Sequence, residues 1–81
     1  MTFYDLRRRL VSSLRERVRS GEITERGLAR MTGVSQPHLH NVLKEKRLLS
    51  LDMADAILRG LNMDVLDLIE PSEVLGRARR R

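Results

Sequence analysis

Eighty-one residues, 41% of them apolar and only 2% aromatic, suit a single small domain packed from aliphatic side chains. That composition argues against a sheet, which draws on aromatic and β-branched residues, and the lack of cysteine excludes a disulfide framework or a thiolate metal site. With no apolar run of signal-peptide or transmembrane length, and a net charge of +5, the chain reads as a soluble cytoplasmic protein.

Phe3, Leu6, Leu10, Val11, Leu14 and Val18 recur at helical spacing and predict a first helix. Thr2 and Asp5 have the spacing of a capping box, and Ser20-Gly21 supplies the stop. A short second helix is expected from Thr24, with Ile23 and Leu28 as a hydrophobic staple, Gly27 inside it and Gly33 closing it. Gly27 should cost about 1 kcal/mol relative to alanine. Ser35 is placed to cap a third helix. Pro37 lies in its first turn, where a missing N–H breaks no helical bond. Leu39, Val42 and Leu43 form its buried stripe. The basic connection 44–50 carries Leu48 and Leu49 as core plugs. Ser50 caps a fourth helix with Leu51, Ala54, Ile57, Leu58 and Leu61 inward and Asn62 just past its end. Asp64 and Asp67 cap a short fifth helix carrying Val65, Leu66, Leu68 and Ile69, which Pro71 ends. The division expected is a domain over 1–70 and a basic tail over 71–81, the tail a frayed helix or disordered.

Charge is unevenly spread. Residues 1–20 set six arginines against Asp5 and Glu16, whereas residues 51–70 set Arg59 alone against Asp52, Asp55, Asp64, Asp67 and Glu70. One part of the molecule is basic and another acidic. A polyanion would approach the first and leave the second turned away.

The second and third helices, joined at Gly33-Val34, satisfy what a helix-turn-helix requires. Ala29 is small enough for close helix crossing, Gly33 tolerates positive φ, and Leu39 and Val42 dock one side of the second helix while leaving the other free. Residues 22–69 resemble the Cro/C1-type, lambda-repressor-like helix-turn-helix domain of the xenobiotic-response-element type. The resemblance rests on Thr24, Leu28-Ala29, Gly33-Val34-Ser35-Gln36, Leu39, Val42, the connection to Arg47, and Leu61 onward. It implies an all-α, five-helix domain, a dimer on an operator, and a transcriptional regulator. The chain departs from the family where Glu25 replaces the neutral donor usual at the start of the second helix, and where Gly27 replaces a helix former.

The N-terminal residues of the second motif helix meet base edges in the major groove. Candidates for base contact are therefore Gln36 and Asn41, each able to bond bidentately to adenine, Pro37 as an apolar contact, and His38 and His40 on the flanks. Thr24, Arg26, Ser35, Lys44, Lys46 and Arg47 suit phosphates. The alternative for each is plain surface, and the helix-one arginines could touch phosphate or an acidic partner or form a solvated face. The C-terminal RARRR is either a DNA-binding arm or a solubilising end. The two histidines lie two apart on a helix and point about 200° from each other, so no metal site is expected. No serine has an implied histidine and acid partner, so neither catalysis nor a cofactor is expected. Nor is a small-molecule ligand or a dedicated ligand domain.

The reading is a double-stranded DNA-binding regulator, a repressor, acting as a homodimer with 35–44 as its recognition helix. The rivals are an antitoxin-like or other protein-interaction module and a structured-RNA binder. The lack of stacking aromatics disfavours the last.

Overall fold

Thr2 stands in extended backbone and its hydroxyl accepts from the Asp5 N–H at 3.1 Å, while the Asp5 carboxylate accepts from the Thr2 N–H at 2.9 Å. This reciprocal box opens α1, Phe3–Arg19. The structure is a computed structural model, and it describes residues 1–69 and 71–73. Ser20 caps the helix end, and Gly21, at a φ of 84°, turns the chain away from it.

α2, Glu25–Thr32, starts at Thr24, whose hydroxyl accepts from the Gly27 N–H at 2.9 Å, and ends at Gly33 with a φ of 78°. α3, Gln36–Leu43, starts at Ser35. α4, Leu51–Gly60, starts at Ser50, whose hydroxyl accepts from the Met53 N–H. Each cap serves an N–H that the first helical turn leaves without a partner. α3 and α4 end alike. After α3, the Glu45 N–H reaches the Val42 carbonyl and the Lys46 N–H reaches that of Asn41. After α4, the Asn62 and Met63 N–H groups reach Arg59 and Leu58. Both are Schellman closures, with Glu45 at a φ of 61° and Asn62 at 54° in the left-handed position.

The described residues form four α-helices and one 3-10 helix, with no strand: the all-α, lambda-repressor-like arrangement with its helix-turn-helix at α2 and α3. The core joins Leu10 and Leu14 of α1, Leu28 of α2, Leu39, Val42 and Leu43 of α3, Leu49 of the connection, and Met53 and Ile57 of α4. Burying such a side chain contributes about 1.5–3 kcal/mol. α2 packs on α3 and α4, and α1 packs on α3 and the 3-10 helix.

Several expectations needed correction. The fifth helix is the 3-10 turn Val65–Leu68, capped reciprocally by Asp64 and Asp67. Four residues between two turns leave room for little more than one tight turn. The 3-10 helix ends at Leu68, before Pro71, and Pro71, Ser72 and Glu73 are helical, in keeping with a tail that can start a helix. A proline fits a first helical turn. Leu51 is exposed, and Met53 takes its place with Ile57. Leu51 precedes Met53 by two residues and so points about 200° away from it. Leu48 is 76% exposed while Leu49 is 3% exposed, because extended backbone sends neighbouring side chains to opposite sides. Phe3 continues the α1 stripe but is exposed, with burial growing through Leu6 to Leu10 as the helix meets its partners.

A second close helix approach, between α2 and α4, was not expected. Ala29 is partly buried against the core. Gly60 lets the backbones touch: a Cβ there would lie 2.8 Å from the Thr32 Cα and press on the Met31 carbonyl. The α2·α4 contact thus depends on a residue without a side chain.

Candidate nucleic-acid interface

Gly33, Val34 and Ser35 separate α2 from α3. The Gly33 N–H donates to the Ala29 carbonyl, and the Thr32 hydroxyl donates to that of Leu28 while accepting from the Val34 N–H. Beyond this turn α3 is docked by Leu39, Val42 and Leu43, and its other face is left to solvent.

That face carries the residues singled out from the sequence. Gln36 and Pro37 are exposed and His38 and Asn41 are half-buried, although Asn41 lies about 200° from Leu39 and Leu43. Ser35 accepts from the His38 N–H at 3.4 Å, which leaves its own hydroxyl hydrogen available as a donor. The Thr24 hydroxyl hydrogen is available in the same way. His40 is exposed but engaged. Its Nδ1 lies 3.1 and 3.3 Å from the two carboxylate oxygens of Glu25, the first residue of α2.

The cations divide into two sets. In α1, Arg7 donates to the Leu49 carbonyl, and Arg9 to the Leu68 carbonyl and the Glu73 carboxylate. Arg15, Arg17 and Arg19 lie within 3.5 Å of Glu45, Glu22 and Glu16, and Arg8 lies over the Tyr4 ring. Arg7 and Arg9 therefore fasten α1 to distant parts of the fold, a role the sequence did not disclose. Arg26, Lys44, Lys46 and Arg47 make no ion pair among the described residues, and all four are exposed. Lys44 borders a groove with Arg15, Arg19 and Glu25, and Arg47 one with Arg7 and Arg8. On the acidic segment, Asp64 and Asp67 are held in their capping box and Asp55 faces Arg59 at 3.7 Å. The basic C-terminal residues lie outside the described residues, as do Val74 and Leu75.

Among the described residues no group of three or more histidine or acidic side chains could hold a metal ion, and no helix is long and apolar enough to cross a membrane. A hydrogen-bonded turn, a helix with one face buried and one face open, and exposed cations that make no ion pair among the described residues define a DNA-binding helix-turn-helix protein. The helix-turn-helix family model matches residues 14–68, and the chain belongs to that family, of the Cro/C1 type. Domains of this family are DNA-binding regulators, a class not typically enzymatic. Neither a curated protein nor a solved structure matches the chain.

Proposed function

We propose that this protein is a sequence-specific double-stranded DNA-binding repressor that lays residues 35–44 in the major groove. The observation that carries the reading is the contrast between cations. Those of α1 are largely held by carbonyls and carboxylates, whereas Arg26, Lys44, Lys46 and Arg47 are exposed and make no ion pair among the described residues. A surface built only for solubility has no need to keep such charges unpaired.

In this reading Gln36 and Asn41 bond base edges, Pro37 meets a thymine methyl, and His38 and His40 contact bases from the flanks. Thr24, Arg26, Ser35, Lys44, Lys46 and Arg47 hold phosphates and fix the register. One helix tip covers too few base pairs to define a genomic site, so the protein works as a homodimer on two half-sites. Leu66, 69% exposed on the 3-10 helix, and Val65 beside it offer an apolar surface for that dimer, with the acidic segment facing away from DNA. Residues 1–70 form the domain, and the basic tail adds an electrostatic arm. The working compartment is the cytoplasm, where the operator is found.

Selection of bound duplexes from a random pool tests the reading, with affinity then followed against salt. The expected result is a palindromic site and a log–log slope corresponding to about five to ten phosphates per dimer. Salt-independent affinity, or no enrichment alongside tight capture of a protein partner, overturns it in favour of an interaction module.

A further inference from the structure

Glu25 is an awkward residue for a DNA-binding face. It opens α2 between Thr24 and Arg26, both assigned above to phosphates, and its negative charge would repel the same backbone. The structure turns it aside. Both carboxylate oxygens lie within 3.3 Å of His40 Nδ1 on the neighbouring helix. An ionised carboxylate only accepts, so Nδ1 must be the donor, whether the ring is neutral or charged. The bond therefore holds in either state of the histidine, and it leaves Nε2 directed elsewhere. The Glu25 side chain is 24% exposed and that of His40 is 47% exposed, so the carboxylate is the more sheltered of the two.

We propose that His40 acts as a positioning residue that keeps the Glu25 carboxylate off the DNA backbone. The inference rests on the DNA-binding reading and adds a task for His40 besides base contact. Arg15 and Arg19 of α1 and Lys44 of α3 line a small groove with Glu25. Without His40 the carboxylate has two courses. It can swing toward the phosphates, or it can draw Lys44 from the phosphate assigned to it. Both weaken binding to every sequence alike, because both act on the backbone rather than on base edges.

That signature separates the proposal from a base-reading role, whose loss would spare random DNA. The probe is a random-sequence duplex, with affinity read by fluorescence anisotropy for wild type, His40→Ala, Glu25→Gln and the double variant. Circular dichroism confirms that each is folded. Two unit charges about 4 Å apart in water repel by ~1 kcal/mol, so His40→Ala should bind about fivefold more weakly per chain. Adding Glu25→Gln should recover that loss, since glutamine keeps the size and removes the charge. If His40→Ala binds random duplex like the wild type, or if the double variant stays as weak as His40→Ala, the proposal is wrong while the DNA-binding reading stands. If the wild type binds no duplex at all, both fall.

Discussion

At the scale of single residues, the proposed function separates reading from holding. If Gln36 and Asn41 bond base edges as proposed, Gln36→Ala and Asn41→Ala should each cost about 1–3 kcal/mol on the selected operator. Random duplex should be bound nearly as before. Lys44→Ala and Arg47→Ala should instead weaken operator and random DNA alike. Titrating both duplexes against each variant checks this, and unchanged operator affinity in the Gln36 and Asn41 variants would move the reading face elsewhere. Glu45 raises a separate issue, since it holds a φ of 61° in the Schellman closure of α3. A non-glycine residue there costs about 1–2 kcal/mol, part of which glycine gives back as unfolded-chain entropy. The ion pair to Arg15, at 3.5 Å and largely exposed, offsets little of it. Glu45→Gly should therefore raise the melting temperature, and removing a negative charge beside Lys44 and Lys46 should also tighten DNA binding. A lower melting temperature would mean that the Arg15 pair matters more than the backbone.

At the scale of helices, the two informative glycines act for different reasons. Gly33 needs its φ of 78°, yet a Cβ there would meet nothing within 4 Å. Gly60 needs space, because α2 backbone occupies the site of its Cβ. Gly33→Asn should thus keep most of the stability, asparagine being tolerant of left-handed backbone. Gly60→Asn should force α2 and α4 apart and cost well beyond the roughly 1–3 kcal/mol of ordinary overpacking. Thermal unfolding of the two variants decides the matter, and equal losses would show that the α2·α4 contact yields easily. The start of α1 brings a pH dependence. The Thr2 N–H and hydroxyl both bond Asp5 and hold its carboxyl below the usual carboxylate range. A carboxyl with a depressed folded-state pKa stabilises above its unfolded pKa, and that contribution is lost as pH falls through the folded value. Helix α1 should fray at its N-terminus in acid. In Thr2→Ala the Asp5 carboxyl should titrate at higher pH by NMR; no change would assign the shift to the remaining backbone bond.

At the scale of the molecule, the 3-10 helix Val65–Leu68, with Val65 and Leu66 exposed, lies next to its capping acids Asp64 and Asp67. The proposed dimer should place two recognition helices about 34–36 Å apart, one turn of duplex. Sedimentation of the operator complex at micromolar concentration should give two chains per site. Cutting after Ile69 should leave a folded domain, because among the described residues the buried core ends at Ile57 and only Leu68 packs on it from beyond Leu61. The shortened chain should bind the operator more weakly and with less cooperativity. A monomer on a full palindrome would refute the dimer, and cooperativity that survives truncation would free the tail of any part in it.

The sequence by itself determined the boundaries of the helices and the turn between α2 and α3. Thr2, Thr24, Ser35, Ser50 and Asp64 all cap as their spacing predicts, and Gly21, Gly33 and Asn62 all take left-handed backbone. These features act between residues two to four apart, and so each is written in a short window. The open face of α3 was legible for the same reason, since a stripe at Leu39, Val42 and Leu43 implies its opposite. Only the tertiary structure decided which arginines are committed, that Gly60 admits Met31 and Thr32, and that Glu25 is held by His40, fifteen residues away. Those partners lie far apart along the chain, and no periodicity records them. Packing brings them together only after the local elements have formed.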